Sequence, residues 1–455
     1  MAADISEYVV PQESDEYSIA DITPTLLRYS EKKGSFKQGK VEAGIFGSKT
    51  KFYSLYDIQS LEYYCGKSLE EIVEHRLSLD LESFDRIIVV LIDGMNLNSM
   101  RGAGKNFTRK INFEFLPMST SFPSMTTVAT TSLLTGSFPI AHGIVADSFF
   151  NSKKKKVTKV KPYLSKDAQK YLPRILPVTT YFLLSDYWDK DCTLGIVTLG
   201  KAHEQLSDRE FIDFFFGKEF ELGGEFTKAM TNEGVYKATK QFILKNQGKK
   251  FFFLIVRFSI DYLAHLYGPQ SEEARAEMER LFEYLFDLNS CLTKGRQRSL
   301  IFLTSDHGHK ELDSGLVPIS SITKFLAPDY KYIAANQTLL SLYHEDLHID
   351  HPEYNFARMV RLKKKHSEFY YYEKSNEKWK LLNRKIEDIE PIVLSSEQYG
   401  IDNRVGDLVL HAENFYFAYH DISYYGDSDF AKFKSSHGGL STQEIFVPCL
   451  FWSST

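Results

Sequence analysis

The chain has 455 residues, and 55 Lys and Arg against 60 Asp and Glu leave a formal net charge of −5. So weak a charge excludes a strongly basic nucleic-acid coat and a long acidic tail, and 43% hydrophobic residues exclude general disorder. The four cysteines, Cys65, Cys192, Cys291 and Cys449, include no CxxC and no close pair, which excludes a disulfide scaffold or zinc ribbon and fits a reducing compartment.

The first residues, MAADISEYVVPQESDEYS, hold no basic segment followed by an apolar one, so no secretory signal is expected. The longest apolar runs, RIIVVLI and FFFLIV, fall far short of the roughly 20 residues of a membrane-spanning helix. The expectation is a cytoplasmic protein with no membrane partner. Residues 1–84 are mixed and polar and read as an N-terminal extension leading into the first core strand.

Arg86–Ile92 is short, β-branched and apolar on both faces, the pattern of a buried parallel strand. It ends in Asp93-Gly94, on the sheet edge where α/β folds place ligands. A helix is expected over Thr126–Leu134, after the Pro123-Ser124 turn and before Gly136 as its cap. The lysine run Lys153–Lys156 reads as a solvated loop tip. Leu194–Thr198, Phe251–Arg257 and Ser299–Thr304 repeat the buried-strand pattern. Between the last two, Ala274, Met278, Leu281, Leu285, Leu288 and Leu292 form one apolar face of a helix over Ser271–Thr293. Residues 313–430, rich in Tyr, Lys and Glu, read as a mainly β insertion, a cap, with His344, His348 and His351 in an exposed loop. Phe446–Trp452 is expected to be a fifth strand. The fold expectation is α/β: a mostly parallel central sheet flanked by helices, with segments 1–84, 85–312, 313–430 and 431–455.

Six metal-ligand side chains fall at or near strand ends: Asp93, Asp261, His265, Asp306, His307 and His437. Mixed Asp and His sets suit Zn²⁺ and Mn²⁺. Asp261 and His265, four apart, share one side if that segment is helical. Six ligands exceed one tetrahedral ion and divide into two sites, the arrangement used for in-line displacement at phosphorus. The stretch MSTSFPSMTTVATTSLLTG over Met118–Gly136 brings many hydroxyls to a helix start, where free N–H groups favour a phosphate oxyanion.

The segments IVVLIDGM, SFPSMTTVATTSLLTGSFPIAHGI, DYLAHLYG, TSDHGH and HGGLSTQEIFVP, in this order, resemble the alkaline phosphatase superfamily, in its type I phosphodiesterase/nucleotide pyrophosphatase branch. The resemblance implies an alkaline-phosphatase-like core and two divalent metal ions, Zn or Mn. One would be held by Asp261, His265 and His437, the other by Asp93, Asp306, His307 and the nucleophile's oxygen. It implies that this nucleophile is Thr126, ten residues before Gly136. Met125 between Ser124 and Thr126 departs from the common motif, so Ser121, Ser124 and Thr127 stay as candidates. His142 and His309 would serve beside the ligands or toward the substrate, not as ligands.

The implied substrate is a nucleotide phosphodiester or pyrophosphate, with cyclic or linear dinucleotides such as cyclic di-AMP as candidates. Nucleic acid is not an expected partner. The rivals are a phosphomonoesterase or phosphonate hydrolase on the same scaffold, and a non-catalytic module of the kind found in phage-defence systems. A sulfatase is disfavoured, since neither C-x-P-x-R nor S-x-P-x-R occurs.

Overall fold

A computed structural model describes residues 17–32, 68–103, 107, 110–136, 145–151, 155–159, 192–199, 224–247, 249, 251–294, 297–312, 315–319, 331–343, 369–375, 378–381, 408–412, 415–418, 432–439 and 441–454. His142, the tip of the lysine run, and His344, His348 and His351 lie outside the described residues.

Seven strands form the central sheet: β1 (Arg86–Asp93), β2 (Glu114–Ser119), β3 (Cys192–Leu199), β4 (Gly224–Ala229), β5 (Phe251–Ser259), β6 (Ser299–Thr304) and β7 (Phe446–Ser454). Their order is β2-β7-β6-β1-β5-β3-β4. β1 runs parallel to β5 and β6, and β5-β3 and β3-β4 are parallel too. β7 alone opposes its neighbours, pairing antiparallel with both β6 and β2.

Helices cover both faces, which is why β1 is buried along its whole length. Ile88, Val90 and Ile92 face a core built with α7 (Glu272–Thr293), whose buried residues include Met278, Leu281, Leu285 and Leu288. Ser271 caps α7 by accepting from the Ala274 N–H. Ile87, Val89 and Leu91 face the opposite core, shared with α4 (Thr126–Thr135). Gly136, at φ +61°, ends α4 in the left-handed conformation that glycine adopts without a Cβ penalty.

The described parts of residues 1–84 are core, not trailing chain. Ile19, Ile22, Leu26 and Tyr29 fall on one face of a 3₁₀ turn and α1 (Ile22–Lys32), and all are buried with Ala129 and Leu133 of α4. Leu69, Val73, Leu81 and Phe84, around α2 (Glu70–Leu77), join the same cluster. Thr23 Oγ1 donates to Leu133 O at 2.5 Å, and Ser119 N donates to Tyr17 O at 2.8 Å. The polar composition hid a short amphipathic face.

Within 313–430, Tyr332–Asn336, Leu339–Tyr343, Leu408–Ala412, Phe369–Ser375 and Lys378–Leu381 form a separate five-stranded sheet, antiparallel throughout. It meets the core at the site: Thr338 Oγ1 donates to His437 O at 3.1 Å.

Candidate active site

Three core strands deliver their carboxyl ends to one point. β1 ends in Asp93 and turns at Gly94. There, at φ +83°, a Cβ would lie 2.8 Å from Asp261 Cα, so glycine lets the two segments abut. β5 runs through Ile260 into the short helix α6 (Asp261–Tyr267), which sets Asp261 and His265 on one side. β6 runs into the irregular segment Ser305–His309. Ser305 Oγ ties that segment to β1, donating to Ile92 O at 2.7 Å and accepting from Met95 N at 3.0 Å.

Two groups of buried donors result, each with its ligand atoms within 4.8 Å of one another: Asp261, His265, His309 and His437, and Asp93, Asp261 and His307. In the first, Asp261 Oδ1 lies 3.3 Å from His265 Nε2, 3.0 Å from His309 Nε2 and 3.6 Å from His437 Nε2. His309 therefore stands among the buried donors, a position that the family resemblance alone does not give it. The backbone turns back at Gly308, whose N–H donates to Glu444 O at 2.9 Å, and this swings the next residue inward. A Cβ at Gly308 would meet Gln443 O at 2.0 Å, so the turn requires glycine.

In the second group, His307 Nε2 lies 3.6 Å from Asp93 Oδ1; Asp306, expected as a ligand there, stands outside both groups, with its Oδ2 3.8 Å from the same nitrogen. Thr126, half-buried as the first residue of α4, sets Oγ1 3.0 Å from His307 Nε2 and 3.4 Å from Asp93 Oδ1. The neighbouring hydroxyls are engaged elsewhere or lack a partner. Thr127 donates to Asp147 Oδ1 at 2.5 Å and Ser124 to Gly439 O at 2.9 Å, while Ser121 Oγ is buried without a hydrogen bond.

The electrostatics call for cations. Asp93, Asp261 and Asp306 are three buried carboxylates, and Arg257 Nη2, 2.6 Å from Asp93 Oδ2, is a buried cation paired with one of them. Burial and the Asp306 charge push Asp93 up to about 6, against the pull of Arg257. Burial also acts to raise Asp261, yet facing His265 and His309 hold it well below the usual carboxylate range. Burial disfavours a charged His307, but Asp306 and Asp93 outweigh it and raise the ring, a proton standing in for a cation. Burial, with the neighbouring histidines, pushes His309 down to about 4 and His437 well below its ordinary value.

Hydrogen-bond partners assign the tautomers. Nδ1 of His265 faces Ser435 O at 2.8 Å, that of His437 faces Ser124 O at 3.0 Å, and that of His307 faces Gly308 O at 3.1 Å. Carbonyls only accept, so each Nδ1 carries a proton, and a ring in its neutral form turns a bare Nε2 toward carboxylate oxygens. Lone pairs opposed at 3–4 Å need a cation between them. Asp306 Oδ2 adds a buried acceptor with no hydrogen bond, its Oδ1 being held by the N–H groups of Gly94 and His307. The donor set thus fits divalent metal.

Three supporting residues escaped the sequence reading: Arg257, Ser435 and Ser124. An arginine within the apolar run FFFLIVR was the available signal for the first. The sequence offers Ser124 only as a candidate nucleophile; in the fold its Oγ accepts from Gly438 N at 3.0 Å and holds the His437 loop.

No curated protein matches the chain at a significant level. Among solved structures, it is similar to murine ectonucleotide pyrophosphatase/phosphodiesterase 5 as an inactive threonine-to-alanine variant with AMP, at TM-score 0.54 and 14% identity. A second structure of the murine protein gives 0.53 and 15%, and human ectonucleotide pyrophosphatase/phosphodiesterase 5 gives 0.52 and 14%. Each comparison covers 80% of this chain and 87% of the other. These likenesses establish an alkaline-phosphatase-like fold. The sequence profile of type I phosphodiesterases/nucleotide pyrophosphatases matches residues 87–439, most of the chain and every donor named above, and the chain belongs to that family.

Proposed function

We propose that the chain is a metal-dependent phosphodiesterase/nucleotide pyrophosphatase with Thr126 as its nucleophile. The observation that carries this reading is the position of Thr126 Oγ1, at a helix start and within 3.4 Å of both His307 and Asp93. The inactive murine structure carries alanine in place of a threonine, which supports the same assignment.

Thr126 Oγ1 attacks phosphorus in line, the leaving oxygen departs, and a phosphothreonine remains for water to hydrolyse. Asp93 and His307 fix the attacking oxygen. The N–H groups at the start of α4 have no intrahelical acceptor, and Met125 caps them with no side-chain bond, so they are free for a phosphate oxygen. Arg257 and Ser259 hold Asp93 Oδ2, at 2.6 and 3.2 Å, and aim Oδ1 at Thr126. Two divalent ions, Zn²⁺ or Mn²⁺, held by Asp261, His265 and His437 and by Asp93, Asp306 and His307, would lower the hydroxyl pKa and neutralise the non-bridging oxygens.

The proposed substrate is a nucleotide phosphodiester or pyrophosphate, including cyclic or linear dinucleotides such as cyclic di-AMP. A diester offers two non-bridging oxygens and one charge, which two metals and a helix start can bind without a further cation. Cys291 and Cys449 are free thiols, consistent with a reducing, cytoplasmic setting. The test compares kcat/KM for cyclic di-AMP, a linear dinucleotide, ATP, bis-p-nitrophenyl phosphate and p-nitrophenyl phosphate, with Mn²⁺, with Zn²⁺ and with chelator. Diesters or pyrophosphates are expected to lead, and chelation to abolish turnover. Preference for the simple monoester would favour a phosphomonoesterase, and full activity after metal removal would overturn the metal-dependent reading.

A further inference from the structure

Asp147 stands beside the start of α4, and the proposed reaction gives it no task. Val145 and Ala146 before it and Ser148, Phe149 and Phe150 after it are buried, while Asp147 itself is half-buried. Two contacts fix it. On one side Thr127 Oγ1 donates to Asp147 Oδ1 at 2.5 Å, the length of a hydroxyl bond to an ionised carboxylate. On the other, the buried Asn336 of the insertion's sheet clamps the next residue. Its Oδ1 accepts from Ser148 N at 2.6 Å, and its Nδ2 donates to Ser148 O at 2.8 Å.

Thr127 directly follows the proposed nucleophile. Adjacent Cα atoms are about 3.8 Å apart, so these contacts hold the Asp147 carboxylate no more than about 11 Å from Thr126 Oγ1. At that range a partly sheltered charge is incompletely screened by physiological salt. A carboxylate beside an anion site weakens binding of every anion, and more so with each charge the anion carries. Asp147 belongs to neither donor group, so its charge acts on the substrate without removing a metal ligand.

We propose that Asp147 is a specificity-determining residue, whose negative charge disfavours a reacting phosphoryl group with two charges and tolerates one with a single charge. This rests on the phosphodiesterase/pyrophosphatase reading above and deepens it. A monoester carries about −1.5 to −2 at pH 7. A diester carries one negative charge, and so does the α-phosphoryl group of a nucleotide pyrophosphate. The substrate class is then a phosphorus linked through oxygen on two sides. The selection comes from repulsion of the wrong substrate, with no added contact to the right one.

The test uses p-nitrophenyl phosphate and methyl p-nitrophenyl phosphate, which share a leaving group and differ by one charge. Their kcat/KM values are compared at pH 8, at low and high salt, in the full chain with Mn²⁺, as wild type, Asp147→Asn and Asp147→Ala. Their Kd values are measured by calorimetry with the same substitutions on a Thr126→Ala background, where turnover is stopped. Asp147→Asn keeps an acceptor for Thr127. It is expected to raise the monoester's kcat/KM relative to the diester's about two- to fifteenfold at low salt, the effect of one charge at about 10 Å between the dielectric of water and that of a protein surface. Monoester binding should tighten in the calorimeter, and high salt should shrink both gains. A ratio unchanged in both variants overturns this proposal and leaves the diesterase reading standing. So does an equal loss on both substrates, which would make Asp147 a prop of the fold. A wild type that prefers the monoester overturns both.

Discussion

At the scale of single residues, Thr126 and Thr127 are adjacent hydroxyls in opposite settings. One faces His307 and Asp93; the other is bound to Asp147. Thr126→Ala is expected to lower kcat by at least about three orders of magnitude with the thermal midpoint little changed, and Thr126→Ser to retain part of the rate. Thr127→Ala should keep most of the turnover; the opposite ranking, in single-turnover assays, would reassign the nucleophile. His309 predicts a pH effect in metal-free protein. Its ring is held down to about 4 in the fold, against 6.5 as the ordinary value. Between those limits the unfolded chain binds the extra proton, so stability falls as pH drops from about 6.5 to about 4. Asp93, raised from 3.8 to about 6, opposes this over its own range because the fold binds its proton first. The difference between wild type and His309→Gln, in thermal melts after chelation, isolates the histidine: the variant should lose less on acidification. The donor residues were legible in the sequence because metal chemistry restricts their types and strand ends fix their places. The direction of the His309 ring was not, since it depends on Ser435, 126 positions away.

At the scale of elements, the start of α4 and the His437 loop are one unit. Ser124 Oγ accepts from Gly438 N and donates to Gly439 O, and Ser124 O accepts the His437 Nδ1 proton. Glu444 braces the loop from beyond, accepting from Gly439 N at 2.8 Å and Ser441 N at 3.2 Å. Ser124→Ala leaves a buried N–H and a buried carbonyl unpaired, at a cost of about 1–3 kcal/mol each. Chemical denaturation should show that loss, and the variant should release metal faster although it removes no ligand. Strands and helices were readable from their patterns: the apolar run of β1, the three- and four-residue spacing of α7, the glycine closing α4. Ser124's bridging role was hidden, because its partners Gly438 and Gly439 carry no side chains and enter through their backbones alone.

At the scale of the molecule, the described N-terminal residues cover the helix that presents Thr126. Ile19, Ile22, Leu26 and Tyr29 are each buried, and full burial of one such side chain is worth roughly 1.5–3 kcal/mol. Four together rival the roughly 5–15 kcal/mol that separates most folded domains from unfolding. A chain lacking residues 1–32 is therefore expected to be insoluble or to melt far below the full chain. A soluble truncation with unchanged midpoint in differential scanning fluorimetry would show that this layer is dispensable. Composition concealed the layer because its apolar residues are spaced along one face among Ser, Asp and Thr, and only the opposing surface of α4 reveals their purpose.

The strand order also sets a timetable for synthesis. β7 follows every other strand in the chain, yet it lies inside the sheet, between β2 and β6. Until it leaves the ribosome, the backbone edges of β2 and β6 have no partner between them, and SLIFLT on β6 is an apolar edge of the kind that recruits foreign strands. The nascent chain must hold that slot open through the whole of residues 305–445 before the last strand can fill it. Cellular yield would then depend on whatever shields the gap until β7 emerges, and growth temperature or chaperone supply would govern it more than the stability of the finished fold.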